Sequence, residues 1–306
     1  MKKGQSIQFN WIFVIVAGTI LLLFFTLFAF RYTTLQNKKI NAETARALDR
    51  SISSIKTTEA YTNLDLGKVN EIEFNCNEFI INKDYRQKTN NIIFSSNIKS
   101  NRIGLWSKSF EYPFKIDNIV FLSSIENKIY LIYDNFNEQF VTEIYNEIPS
   151  LFNVKIVNDY DNIRDSVIVF FVDPSGKLDE LKSKNNKVVY IDGADVGSVK
   201  FYEDSIKESS YLSREMMYGA IFTSNFKLYD CSFKSLLNKM NDVNKIYENK
   251  AKNMKECSYL GIVQNLNVND EVKNCLNNNC LDLINNKEIL DLQNQELYEQ
   301  GCKVVF

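Results

Sequence analysis

"SVIVFFVDPSGKLDELKSKNNKVVYID" (166–192) decides how the middle of this chain is read. The runs at 166–173 and 187–192 are apolar almost without interruption, so a strand built from either is covered on both faces. Between them "VDPSG" is turn chemistry and "GKLDELKSK" (176–184) reads as a short helix. Strand, helix and strand in that order predict a parallel βαβ unit.

The same alternation continues outward. "NIVFLSS" (118–124), "KIYLIYD" (128–134) and "NVKIVN" (153–158) read as strands, and "NEQFVTEIYNEI" (137–148) reads as an amphipathic helix. Further toward the N-terminus, "EIEFNCNEFIIN" (71–82) and "NNIIFSS" (90–96) read as strands, with Gly104 to Pro113 as an irregular loop carrying Trp106. Residues 60–205 are therefore expected to form an α/β domain around a mainly parallel sheet.

From Phe226 the period changes. Tyr229, Phe233, Leu236, Met240, Val243, Tyr247, Ala251 and Met254 follow a three-four spacing, which predicts a long helix with one apolar seam. A second helical stretch, Asp270 to Gln300, offers Val272, Leu276, Leu283, Ile284, Leu290 and Leu297 as its packing partners. Residues 206–306 are thus expected to dock as a helical, cysteine-containing subdomain.

At the other end stands "KKGQSIQFNWIFVIVAGTILLLFFTLFAFRY" (2–32). No charge falls between Lys3 and Arg31, and a helix of about 20 residues, Trp11 to Phe30, spans the roughly 30 Å hydrocarbon core of a bilayer. The run ends in Leu27-Phe28-Ala29-Phe30-Arg31, without the small-residue site of a cleavable secretory signal. Trp11 and Tyr32 stand at its ends, as interfacial aromatics do. We therefore expect residues 1–32 to be a short tail and a transmembrane helix, with the lipid bilayer as its partner. Ala45, Leu48, Ile52 and Ile55 then mark one face of a juxtamembrane helical stalk, residues 33–59, that continues it without Pro or Gly.

Lys3-Gly4-Gln5, just ahead of the apolar run, resembles the class III signal peptide of archaeal type IV pilin-like proteins. The resemblance covers only the N-terminus. It implies cutting after Gly4, so that Gln5 opens the product, and translocation of the C-terminal part; pilins also share a long first helix. The glutamate such proteins carry five residues into the mature chain falls at Phe9 here.

Which side the bulk faces is read from two opposed signals. Two lysines precede the helix, whereas Arg31, Lys38, Lys39, Arg46 and Arg50 follow it, which by the positive-inside count holds the rest in the cytoplasm. Six cysteines, an even number, together with the pilin-like tag, point outside, and that is the side we expect. No N-x-[ST] sequon bears on the choice.

The 306 residues carry a net charge of −2 and no Lys/Arg-rich block, so nucleic acid is not an expected partner. Histidine is absent, which excludes Ser-His-Asp and Cys-His nucleophiles and imidazole metal sites. No catalytic residue and no cofactor is expected. The candidate site residues are the cysteines Cys76, Cys231, Cys257, Cys275, Cys280 and Cys302, as disulfides. Six cysteines allow 15 pairings; Cys275 and Cys280 are close enough to bridge a local turn, Cys76 with Cys231 is one long-range option, and a four-thiolate metal site lacks its C-x-x-C pairs. Asp134, Asp173 and Asp192 end three expected strands, where carboxylates gather around Mg²⁺ in some phosphoryl-transfer sites but also cap turns. Gly176-Lys177 lacks a P-loop's spacing, and Gly193 with Gly197 lacks that of a dinucleotide turn. The resulting expectation is a single-pass, membrane-anchored envelope protein with a structural or interaction role and a protein partner in the envelope. Its alternatives are a pilin-like filament subunit and a cytoplasm-facing, metal-dependent α/β enzyme.

Overall fold

The structure is a computed structural model describing residues 4–158, 162–174, 176, 178–277 and 280–306, with side chains from Trp11 onward. Lys2, Lys3 and Lys177 of the readings above lie outside the described residues, as does the side chain of Phe9. In chain order the elements are α1 (Gly4–Thr58), β1 (Tyr61–Asp65), β2 (Ile72–Asn75), β3 (Glu78–Ile81), β4 (Tyr85–Lys88), β5 (Ile93–Ser95), β6 (Arg102–Glu111) and β7 (Lys115–Ser124). There follow β8 (Lys128–Ile132), α2 (Glu138–Glu147), β9 (Asn153–Val157), β10 (Val167–Phe170), α3 (Leu178–Ser183), β11 (Lys187–Gly193), β12 (Gly197–Tyr202) and β13 (Ile206–Tyr211). The chain closes with α4 (Arg214–Thr223), α5 (Phe226–Asn253), α6 (Leu260–Leu266), α7 (Asn269–Leu276) and α8 (Leu281–Glu299).

α1 is one unbroken helix of 55 residues, and its two halves live in different surroundings. From Trp11 to Lys39 every side chain is exposed; from Asn41 onward Ala45, Leu48, Ile52 and Ile55 are buried. The threonines of the free half spend their hydroxyls inside the helix. Thr19 donates to the Ile15 carbonyl at 2.8 Å, Thr26 to Leu22 at 2.7 Å and Thr34 to Phe30 at 2.9 Å, so none presents an unmet donor to an apolar medium.

The buried half of α1 lies on a four-stranded sheet of order β1-β6-β7-β5, and the three-stranded meander β2-β3-β4 closes over it. Ile103, Leu105, Val120 and Leu122 face α1, while Phe94, Trp106 and Phe121 face the opposite way, onto Tyr218 and Phe222 of α4 and Tyr229 of α5. A second sheet has six strands in the order β13-β12-β11-β10-β8-β9. Its one face shares the main core with α2 and α4; the other is capped by Leu181 of α3 over Ile168 and Val188.

The expected α/β character is present, but the sheets are mixed and not mainly parallel. Pairs β9–β8, β8–β10 and β10–β11 are parallel, and β5–β7 too; β1–β6, β6–β7, β11–β12, β12–β13 and the meander are antiparallel. The sequence misleads here because helices cover both faces of the β6–β7 pair. Nine consecutive residues of β7 are buried, the signature normally left by a parallel strand.

Two local expectations also change. Residues 71–82 are a hairpin turning at Cys76-Asn77, and the segment around Trp106 is the ten-residue strand β6, its Pro113 lying in the turn beyond. Gly104 is needed there, since a Cβ at this position would overlap the Leu151 and Phe152 side chains. In the C-terminal part the seam of α5 buries Tyr229, Phe233, Leu236, Met240 and Ala251 as its spacing predicts. The stretch from Asp270 to Gln300 is instead two helices, α7 and α8, parted at Asn277 and Cys280.

Candidate functional site

The densest polar constellation lies where the two sheets meet. Lys108 projects from β6, Glu147 is the last residue of α2, and Arg214 is the first of α4, one turn before Tyr218. Glu147 accepts from Lys108 Nζ through one oxygen and from Arg214 Nη1 at 2.8 Å through the other. Arg214 Nε donates to Asp195 at 3.0 Å, and its guanidinium stands 5.6 Å over the Phe140 ring. Lys108 Nζ sits 5.0 Å over the Tyr218 ring and 5.5 Å over Trp106.

A cation at a helix N-terminus opposes the helix dipole, so Arg214 needs these carboxylates. The Glu147 hydrogen bond, and then Asp195, raise its pKa above the arginine value. For Glu147, burial acts to raise the carboxyl pKa, but Lys108 and Arg214 outweigh it and hold the group below the usual range. Burial and the neighbouring Glu147 carboxylate raise the Tyr218 phenol.

Held by these ion pairs, Glu147 joins β6, α2 and α4 at one point. Beside them runs an open groove of about 840 Å³, with Tyr61 and Tyr145 exposed on its rim and Trp106 and Phe152 in its wall. None of Lys108, Glu147 and Arg214 was singled out in the sequence. They stand 39 and 67 residues apart in successive steps, and no local spacing announces them.

The six cysteines form three pairs with their sulfurs at bonding distance, and none is left free. Cys76, in the β2–β3 turn, meets Cys231 on α5, with Cα atoms 5.5 Å apart across 155 residues of chain. Cys257 meets Cys302, Cα atoms 6.1 Å apart, and Cys275 meets Cys280 across the break between α7 and α8. All thiols being paired, none is available to a metal. Gly4 and Gln5 are the first two helical residues of α1.

The strand-end aspartates do not converge. Asp134 accepts from the Phe136 and Asn137 amides at 3.0 and 3.2 Å, which is a turn cap, and no group of three or more potential ligands able to hold a metal forms among the described residues. Gly193 and Gly197 face each other in the β11–β12 hairpin, where a Cβ on Gly197 would strike the Asp192 carbonyl. No protein-family model matches the chain, and no curated protein and no solved structure is significantly similar to it.

Proposed function

We propose that this chain is a single-pass membrane-anchored envelope protein whose disulfide-bonded head stands outside the cytoplasm in a structural or interaction role, without catalytic activity. The observation that carries this reading is the division of α1. Trp11 to Phe30 form a wholly exposed apolar helix surface, long enough to cross a bilayer, and the same helix ends as a core element of the head. An apolar surface of that extent in water would drive aggregation, whereas lipid solvates it. Three disulfides suit an oxidising compartment. The head's grooves and its Lys108–Glu147–Arg214 clamp suit a protein partner in the envelope better than a reaction.

The test is extraction. In membranes washed with alkaline carbonate the chain stays in the pellet and needs detergent to leave it. The Ile20→Arg/Leu23→Arg variant, costing about 3 kcal/mol per arginine at a helix centre, leaves the membrane fraction. Release of the unaltered chain by carbonate alone contradicts the reading.

A filament subunit of the pilin-like kind is the second reading, and the continuity of α1 from the free half into the head favours it. It requires processing after Gly4. N-terminal sequencing that returns Gln5 first supports it, and an intact Met1-Lys2-Lys3 removes it.

A further inference from the structure

Where α1 enters the head, its residues Thr34, Asn37 and Asn41 form one wall of a second groove, of about 720 Å³, whose other wall is the 68–71 loop and the β3–β4 turn. The floor is fixed. The Asn82 amide donates to Asn41 Oδ1 at 3.0 Å, Asn41 donates to Asp84 at 3.1 Å, and Asn82 Oδ1 receives the Asn70 and Glu71 amides at 2.8 and 3.2 Å. Asn82 and Lys83 adopt left-handed backbone angles, φ 50° and 58°, to make this turn.

Height along the helix places the groove. At about 1.5 Å per residue, Thr34 stands about 6 Å and Asn41 about 16 Å beyond Phe30, where the apolar segment ends. Head groups occupy about the first 5–8 Å outside the hydrocarbon on each side of a bilayer. The lower end of the groove is therefore level with them.

Its charges are unevenly satisfied. Lys83 is paired with Glu71 at 3.2 Å, and Lys39 with Glu43 at 3.9 Å. Lys68 on the rim has no side-chain partner among the described residues, and neither have Arg31 and Lys38, which neighbour Thr34 and Asn41 on the helix surface. Lys68 thus lines the cleft together with the Glu71 and Asp84 carboxylates, and Arg31 and Lys38 flank its mouth on the helix surface, outside the lining itself.

We infer that this groove holds the phosphate-bearing head group of an anionic lipid from the leaflet through which α1 leaves the membrane, with Lys68 in its lining and Lys38 at its mouth as cationic contacts and the side-chain amides of Asn70 and Asn37 as hydrogen-bonding groups. The inference rests on the membrane-anchored reading and adds a ligand class to it.

Full-length protein in nanodiscs of phosphatidylcholine containing phosphatidylglycerol is re-extracted, and the retained lipid is measured by native mass spectrometry. The unaltered chain retains phosphatidylglycerol in excess of its share in the disc. Each cation near an anionic head group contributes about fivefold, so Lys38→Gln/Lys68→Gln lowers that retention by about tenfold or more. Lys207→Gln, an exposed lysine on β13, leaves it unchanged, and matching thermal unfolding shows that all three chains are folded. Retention that does not discriminate anionic from neutral lipid, or that survives the double substitution, overturns the inference. So does a cross-link between two copies through Lys68 with no lipid retained, which assigns the groove to a second chain. Solubility without detergent defeats the anchor itself; a membrane-integrated chain that retains no anionic lipid defeats only the lipid site.

Discussion

Lys56, in the last turn of α1, and Asp117, on β7, are joined by a two-point ion pair: Lys56 Nζ lies 2.8 Å from one carboxylate oxygen and 2.9 Å from the other. Lys239 of α5 reaches the same carboxylate, and the Asn118 amide donates to the Lys56 carbonyl. Asp117 is only 8% exposed, so this junction ties the stalk helix to the sheet and to α5 at one buried point. Burial lowers the Lys56 pKa, and Asp117 opposes that shift.

The partners are not equivalent. Asp117→Asn strands Lys56 beside Lys239 without a counter-charge and costs about 3 kcal/mol, whereas Lys56→Met leaves Asp117 paired to Lys239 and costs about 1 kcal/mol or less. Thermal unfolding of the detergent-solubilised chain checks the order; equal losses contradict it.

Glu147 gives the fold an acid-sensitive contact. Its folded pKa lies below the unfolded value, so its contribution is complete above about pH 4.3 and is lost as the pH falls through the lower folded value. Glu147→Gln therefore lowers the melting temperature at pH 7, and the gap to the unaltered chain closes below about pH 4. A gap that stays constant down to pH 3 removes the clamp from the account.

Gly104→Ala places a methyl group against Leu151 and Phe152, and overpacking of this kind costs about 1–3 kcal/mol. Gly18→Ala, inside α1 at a site with nothing within 4 Å, does not lower stability and serves as the control. Chemical denaturation of both variants distinguishes the two positions.

Cys76–Cys231 closes the longest covalent loop in the chain, 155 residues, and Cys257–Cys302 closes one of 45. On the chain-entropy view these stabilise the fold by about 5 and about 4 kcal/mol before any strain is counted. Replacing Cys76 and Cys231 together by Ser lowers stability more than replacing Cys275 and Cys280, whose loop is short. Non-reducing peptide mapping that finds other pairings contradicts the structure.

The longer amphipathic helices were the legible part of this sequence, whereas α4 and α6 were not read. Ala45, Leu48, Ile52 and Ile55 are buried as their spacing predicts, because a helix shows its inner face through a local period. Strand direction has no such local record. Val120 and Phe121 read as sheet residues in either orientation, and only the helices packed on both faces of β7 explain why its run is unbroken. β12 and β13 escaped notice because "GSVKFY" and "IKESSY" are polar and only partly covered toward the sheet's edge. The Lys108–Glu147–Arg214 cluster was illegible for a different reason. Ordinary surface residues of three separate elements acquire their meaning only when β6, α2 and α4 meet. Cys275–Cys280 was readable from its five-residue spacing, while Cys76–Cys231 was one option among 15 until the fold brought α5 over the β2–β3 turn.

Thiol labelling of intact cells with a membrane-impermeant maleimide, before and after an impermeant reductant, tests most directly whether an apolar helix holds an oxidised head beyond the membrane. Labelling that appears only after reduction, on cells still sealed, is the predicted result. Thiols that react without reductant, and only once the cells are lysed, place the head in the cytoplasm and contradict the account.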